Sequence, residues 1–414
     1  MKYGCIAERL GHSFSREIHE KIGGYEYELR EIPRGDLDRF MTERDFLGIN
    51  VTIPYKRDVI PYLYEIDGSA KEMGAVNTVV NRDGKLYGYN TDFPGMREMI
   101  EYAGIELGGK KVLILGTGGT SHMARALARH LGASEVVVVS RTGRDGAVTY
   151  EEAYRDHADA DVMINTTPAG MYPDIAGMPI DDIGRFPKLS GLVDAVYNPL
   201  RTRLVMAAAE RGIKSVGGLY MLVSQAVFAA EKFTGRRLGQ KVTERIYREL
   251  FRDKENIVLT GMPGSGKSAT GRHISANTGR RLIDTDAEIV KRIGMPITEY
   301  FAKYGESSFR DRESEVIAEV SKLHGCVIST GGGAILREEN VRALKQNGRI
   351  YYLDRPLEWL TPTANRPLAR DADAIRARYH ERHDIYISTA DVVVKMVDGR
   401  EKNAKKIEEL HGIS

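Results

Sequence analysis

Gly261-Met262-Pro263-Gly264-Ser265-Gly266-Lys267-Ser268 fits the pattern G-x-x-x-x-G-K-[ST] in full. In such a loop the backbone amides around Gly264, Ser265 and Gly266 cradle phosphates. Lys267 neutralises their charge, and the Ser268 hydroxyl is placed to ligate Mg²⁺. A second glycine turn, Gly116-Thr117-Gly118-Gly119-Thr120, lies roughly 150 residues earlier. It would let the backbone approach a pyrophosphate whose charge meets a helix N-terminus. Ser121 stands where the usual spacing has a third glycine. Further on, the run Glu135 to Val139 ends at Ser140-Arg141-Thr142-Gly143-Arg144. A site for NAD would place an acid at this strand end, whereas Arg141, with Arg144 nearby, suits the 2′-phosphate of NADP(H). The chain thus carries the residues for hydride transfer from a dinucleotide and for phosphoryl transfer from ATP.

These loops need strands and helices to hold them. Lys111 to Leu115 is a β-branched apolar run ahead of the first glycine turn, and Ser121 to His130 reads as the helix after it. Asn256 to Thr260 leads into the second loop in the same way. Before the first turn lie strand-like pieces, Gly48 to Ile53 and Ala75 to Val80. Val242, Ile246 and Leu250 have helical spacing, which predicts a helix ending near Phe251 and a short charged linker over 252–255. Strands alternating with helices throughout predict an α/β protein with parallel sheets.

Composition excludes other classes. Apolar residues make up 42% and charged residues 29%, as in ordinary globular proteins, so disordered and fibrous chains are excluded. The 60 Lys and Arg residues nearly balance the 58 Asp and Glu, leaving +2, so neither nucleic acid nor a membrane surface is an expected partner. Cys5 and Cys326 are too few for a disulfide framework and fit a reducing compartment. Residues Met1 to Cys5 lack a signal peptide's apolar core, so a cytoplasmic location is expected.

Seven motifs in order then carry a resemblance over residues 1 to about 250. They are Gly11-His12-Ser13-Phe14-Ser15, Asn50 to Lys56, Gly74 to Thr78, Asn90-Thr91-Asp92, Asn165 to Met171, Asp194 to Pro199, and Tyr220 to Gln225. This part of the chain resembles the shikimate dehydrogenase family. The resemblance implies a substrate-binding domain formed by 1–92 and 219–251, clasping NADP(H) against a Rossmann domain over 93–218. It implies that Ser13 and Ser15 hold the substrate carboxylate, and that Lys56 and Asp92 flank the reacting carbonyl or hydroxyl. Thr52, Asn77 and Gln225 would hold the ring hydroxyls with Tyr197 nearby, and Gly218 would line the cofactor site. Chemistry asks for these residue types. Hydride delivery to a ketone builds charge on oxygen, which a lysine can stabilise or protonate, and a polyhydroxylated ring needs many polar partners.

Residues 256–414 resemble the shikimate kinase family. The motifs are Ile283-Asp284-Thr285-Asp286, Gly305-Glu306 with Phe309-Arg310 and Glu313, Ser329 to Gly333, Arg366-Pro367-Leu368, and Arg382 four residues before Tyr386. The resemblance implies that Asp286 activates the acceptor hydroxyl and that Asp284 supports Mg²⁺. Arg310 and Arg382 would clamp a carboxylate with their forked guanidinium groups. The Gly331-Gly332-Gly333 run would approach the substrate ring, and Arg366 would stabilise the transferring phosphoryl from a lid. The chain departs from the family in two places. No arginine between Arg355 and Arg366 can stack on adenine, and the family's Arg-x-Pro-Leu-Tyr reads Arg382-His383-Asp384-Ile385-Tyr386. Trp359, the single tryptophan, is expected to be a packing residue, and discrimination between ATP and GTP is expected to be loose.

The combined expectation is a bifunctional enzyme. One part reduces 3-dehydroshikimate with NADPH, the other phosphorylates shikimate with ATP, and the chain could assemble as an oligomer. Two rival readings are an oxidative quinate/shikimate dehydrogenase, opposed by Arg141, and a nucleotide-sensing regulator, opposed by intact Lys56, Asp92, Lys267 and Asp286.

Overall fold

The computed structural model of the chain describes residues 1–10, 13–360 and 372–413. Two compact units form: 1–171 with 177–198 and 204–250, and 251–414 with the short segments 172–176 and 199–203.

The first unit holds two sheets. One contains β1 (Tyr3–Ala7), β2 (Glu28–Glu31), β3 (Gly48–Val51), β4 (Glu65–Ile66), β5 (Thr78–Arg82) and β6 (Lys85–Tyr89), in the order β2-β1-β3-β5-β6-β4. This sheet corrects the expectation of parallel strands throughout. β1 runs parallel to β2 and β3, but β5 runs antiparallel to both β3 and β6. The reversal has a local cause. Asp83 and Gly84 join β5 to β6 with φ of 51° and 78°, and an Asp-Gly pair with positive φ makes the tight two-residue hairpin turn.

The second sheet contains β7 (Lys111–Leu115), β8 (Glu135–Val139), β9 (Val162–Asn165), β10 (Gly191–Asp194) and β11 (Lys214–Val216), ordered β11-β10-β9-β7-β8. All its pairs are parallel. β7 and β9 are almost wholly buried, which explains their unbroken apolar runs. The helix Gly119–His130 follows β7 and packs its Met123, Ala124, Leu127 and Ala128 inward.

A buried carboxylate ties three helices of this unit together. Glu98, on the helix Asp92–Tyr102, accepts hydrogen bonds from Ser224 Oγ and from Thr243 Oγ1 at 3.3 Å. Ser224 lies on the helix Leu219–Thr234, and Thr243 on Gln240–Lys254. Burial pushes the Glu98 carboxyl above its ordinary range, outweighing the two hydroxyl donors that pull it down. Removing the acceptor leaves two buried hydroxyls unpaired, so Glu98→Ala should cost about 1–3 kcal/mol of unfolding free energy. The folded state also holds this proton more tightly than the unfolded chain does. Its contribution to stability therefore falls as pH rises from the ordinary glutamate range through the raised folded value. Denaturant melts across pH should show Glu98→Gln losing that slope.

The second unit carries one parallel sheet: β12 (Asn256–Thr260), β13 (Leu282–Asp284), β14 (Val327–Ser329), β15 (Gly348–Asp354) and β16 (Val392–Lys395), ordered β13-β14-β12-β15-β16. The helix before it corrects the predicted linker. Gln240–Lys254 stays helical past Phe251, with Arg252 and Lys254 complementing the negative end of its dipole, and only Glu255 separates it from β12. Among the described residues no helix is long and apolar enough to cross a membrane.

Candidate active sites

The first unit has a cavity of about 220 Å³ lined by Ser13, Ser15, Thr52, Lys56, Asn77, Asp92, Tyr197, Gly218 and Gln225, among others. Every residue expected at the substrate thus lies on one wall or another, joined by Gly218, which was expected at the cofactor. Lys56 Nζ is 2.6 Å from Asp92 Oδ2. Asp92 opens its helix, and Asn90 Oδ1 accepts from the Asp92 amide at 3.1 Å, fixing the turn. Asn77 Oδ1 accepts from the Thr91 amide at 2.8 Å, so its amide nitrogen is the atom left for a ligand. Ser13 Oγ donates to Ser15 Oγ at 2.9 Å at the start of the helix Ser15–Ile22. Phe14 sets its ring edge-on to Tyr197, 5.7 Å away, and burial raises the Tyr197 hydroxyl above its usual range. Gly11 and His12 of that motif lie outside the described residues.

Sequence reasoning assigned no role to Asn50 or Cys5, which also line this cavity. Asn50 Oδ1 accepts from the Tyr27 hydroxyl at 2.7 Å, and its amide donates to Thr78 Oγ1 at 3.1 Å. It sat inside a quoted motif, but only its buried partners show why an amide is needed. Burial pushes the Cys5 thiol up to about 12, so it stays protonated and is no nucleophile at neutral pH.

A second cavity, about 770 Å³, opens at the carboxyl ends of β7, β8 and β9. Gly116, Gly118 and Arg141 line it, with Ser140, Thr142, Thr166 and Thr167. Gly116 has φ of 105°, and a Cβ there would come within 2.9 Å of Thr166 Oγ1. Only glycine lets the turn pass this close to the end of β9. Gly119 and Thr120 begin the following helix, and neither they nor Arg144 line the cavity. Thr166 and Thr167 were missed as cavity residues, because only the β7–β9 pairing brings them to the glycine turn.

The second unit gathers its polar residues at the carboxyl ends of its strands, where α/β sheets bind ligands. The loop Gly261–Ser268 follows β12, and a cavity of about 460 Å³ is lined by Gly264, Ser265, Gly266, Lys267 and Ser268. Lys267, 4% exposed, donates to the carbonyls of Gly261 and Met262 at 2.7 and 3.1 Å, which braces the loop from within. Ser268 Oγ donates to Asp284 Oδ2 at 2.7 Å. Asp284 also caps the helix Thr285–Ile293 by accepting from the Asp286 and Ala287 amides.

Asp286, Arg310 and Glu313 converge on the Gly331–Gly333 run. A Cβ on Gly331 would meet Asp286 Oδ1 at 2.5 Å and Glu313 Oε1 at 2.7 Å, and one on Gly333 would strike the Arg310 guanidinium. Arg310 pairs with Glu313 at 2.6 Å and with Glu306 at 2.8 Å. The Arg310–Glu313 pair is one helical turn apart and faces the glycines. Burial pushes the Glu313 carboxyl up, while Arg310 and, more weakly, Arg382 pull it down. Arg382 and Tyr386 both donate to the Gly332 carbonyl, at 3.4 and 2.5 Å. Arg366 lies outside the described residues. Asp286, Glu313, Arg310, Arg382 and Tyr386 are thus gathered around the Gly331–Gly333 run.

Comparison with known proteins identifies both parts. Residues 5–79 match the shikimate dehydrogenase substrate-binding domain, and residues 263–411 match shikimate kinase. A shikimate dehydrogenase (NADP(+)) from Clostridium perfringens is 37% identical over 273 residues, 60% of this chain and 97% of that protein. One from Halothermothrix orenii is 38% identical over 260 residues, 56% of this chain and 90% of that protein. Among solved structures, a chorismate mutase/shikimate 5-dehydrogenase fusion protein from Clostridium acetobutylicum is 35% identical. It superposes with a TM-score of 0.56 over 60% of this chain and 96% of its own. Shikimate 5-dehydrogenase from Thermus thermophilus, in complex with NADP(H) and shikimate, is 31% identical with a TM-score of 0.53 over 60% of this chain and 99% of its own.

Proposed function

The chain belongs to the shikimate dehydrogenase family and carries a shikimate kinase domain after it, and from this premise we propose that its two sites act as consecutive catalysts through the residues described above. The first reduces 3-dehydroshikimate to shikimate; the second converts shikimate to shikimate 3-phosphate. The observation that carries the reading is the Lys56–Asp92 pair at 2.6 Å in a cavity that also collects the hydroxyl and amide side chains of Ser13, Ser15, Thr52, Asn77 and Gln225.

Gly116, Gly118 and Arg141 would hold NADPH, which when bound would supply the hydride. Lys56 stabilises the oxygen as charge builds on it and gives it a proton. Asp92 orients Lys56 and helps restore that proton from solvent. Ser13 and Ser15 take the carboxylate, and Thr52, Asn77 and Gln225 take the ring hydroxyls, with Tyr197 closing one side. Arg141 selects the cofactor. Arg141→Ala should weaken NADPH binding roughly ten- to a hundredfold, the scale of a lost charged hydrogen bond, and leave NADH binding unchanged. Equal kcat/KM for NADPH and NADH in the unaltered enzyme would refute this assignment.

In the second site ATP supplies the phosphoryl group, held by Gly264 to Lys267. The Ser268 and Asp284 side chains fit Mg²⁺, which takes few protein ligands and keeps waters and phosphate oxygens for the rest. Arg310 and Arg382 hold the shikimate carboxylate, and Asp286 accepts the proton of the attacking hydroxyl. Arg366 would stabilise the transferring phosphoryl group. The purified chain, given 3-dehydroshikimate, NADPH and Mg-ATP together, should form shikimate 3-phosphate, with NADPH oxidised and ADP released in step. Accumulation of shikimate without its phosphate would limit the chain to the first reaction.

A further inference from the structure

A chain of hydrogen bonds leads from the substrate cavity of the first unit back into its buried sheet. β1 lies between β2 and β3 and sets Cys5 opposite Asn50. Buried Tyr27, just before β2, reaches past β1 and donates its hydroxyl to Asn50 Oδ1 at 2.7 Å. Its ring is clamped. The imidazole of buried His19, on the helix Ser15–Ile22, stacks on it with ring centres 3.8 Å apart and planes at 9°. His19 Nδ1 is in turn 2.6 Å from the Tyr25 hydroxyl, and His19 is also a hydrogen-bond partner of the Asn50 side chain. Cys5 is the other side chain at the Tyr27 hydroxyl, but a protonated thiol is a weak acceptor, so Asn50 takes the hydrogen.

From Asn50 the direction of each bond is forced. With Oδ1 accepting, Nδ2 spends both its hydrogens, on Thr78 Oγ1 at 3.1 Å and on the Asn77 carbonyl at 3.3 Å. Thr78 Oγ1, already an acceptor, gives its own hydrogen to Asn77 Oδ1 at 3.0 Å. Thr91 adds its amide and its hydroxyl to the same oxygen, at 2.8 and 3.2 Å. Asn77 therefore has only N–H hydrogens left to offer the cavity it lines.

We infer that Tyr27 is a positioning residue for the dehydrogenase reaction: through Asn50 and Thr78 it sets Asn77 as a hydrogen-bond donor to a ring oxygen of the substrate. This deepens the dehydrogenase reading above and rests on it. Tyr27 does not line the cavity, so its influence passes through the relay. Phenylalanine would fill the same space and keep the stack on His19, but it would leave Asn50 Oδ1 without its hydroxyl donor. The Asn50 amide would then be free to turn over, drawing the Thr78 hydrogen to itself and releasing the Asn77 carbonyl. Asn77 would be loosened at its side chain and its main chain together. Lys56 and Asp92 lie outside the relay, so the chemical step is spared.

Steady-state kinetics of 3-dehydroshikimate reduction by the full chain separate this role from packing. Tyr27→Phe should raise KM about tenfold, the size of one weakened hydrogen bond, with kcat held within about twofold and the NADPH dissociation constant unchanged. Thr78→Val cuts the relay one bond later and should raise KM by a similar factor, and the double variant should be no worse than the poorer single one. In an Asn77→Ala background, Tyr27→Phe should have no further effect on KM. If Tyr27→Phe keeps the parent KM, or if its effect multiplies with that of Asn77→Ala, the inference is overturned and the dehydrogenase reading survives. Weakened NADPH binding, or a kcat that falls as far as KM rises, would make Tyr27 a residue of the fold alone and overturn it equally. If the unaltered chain does not reduce 3-dehydroshikimate, reading and inference fall together.

Discussion

Lys56→Ala lowers the kcat for 3-dehydroshikimate reduction by about 10²-fold or more, the usual scale for a positioned proton donor, and leaves shikimate phosphorylation unchanged. The expectation comes from geometry. Lys56 Nζ stands 2.6 Å from Asp92 Oδ2, and both line the one cavity that also collects Ser13, Ser15, Asn77 and Gln225. Alanine removes the cation that meets the developing oxygen charge and leaves Asp92 facing that charge alone, so the transition state loses more than the ground state does. The loss should therefore appear in kcat, and the cofactor's dissociation constant should not move. Steady-state kinetics with both substrates varied checks this. A raised KM for 3-dehydroshikimate at unchanged kcat would reduce Lys56 to a binding residue. Phosphorylation is measured in the same preparation, starting from shikimate, and serves as the internal control for folding.

The parts of the sites that short motifs specify were legible in the sequence, because each motif is a strand end with its loop. Gly116, Arg141, Lys267, Asp284 and Gly331 all follow apolar runs that became β7, β8, β12, β13 and β14, and parallel sheets align such ends on one edge. What was not legible depends on partners far away in the chain. Nothing local to Thr166 shows that β9 pairs with β7 and puts its hydroxyl against Gly116. Nothing local to Glu98 shows that Ser224 and Thr243 stand beside it. Nothing local to Trp359 shows that it stands 41% exposed on the phosphate-loop cavity. The antiparallel turn of the first sheet is a different case. Asp83-Gly84 between two alternating runs is a hairpin signal in the sequence itself, and the α/β pattern of the rest of the chain masked it.

The second large effect is expected in the kinase reaction. Asp286→Asn keeps the size of the side chain and one of its oxygens, but an amide cannot take the proton that the attacking hydroxyl must lose. Phosphoryl transfer depends mainly on positioning and charge, so a carboxylate that takes the acceptor's proton has a role that the surrounding arginines cannot fill. Asp286 Oδ1 stands 2.5 Å from where a Cβ on Gly331 would be, so the glycine opens the space in which the acceptor can approach it. Its neighbour Glu313 is no substitute, being engaged with Arg310 at 2.6 Å and pushed up by burial. Turnover should fall by about 10²–10⁴-fold. ADP affinity, read by calorimetry, should stay unchanged, because Gly264 to Ser268 and not Asp286 line the phosphate-loop cavity. Reduction of 3-dehydroshikimate by the same variant should proceed at the unaltered rate, so that shikimate accumulates where the parent chain forms its phosphate. A variant that retains more than about a tenth of the parent turnover would place the proton acceptor elsewhere.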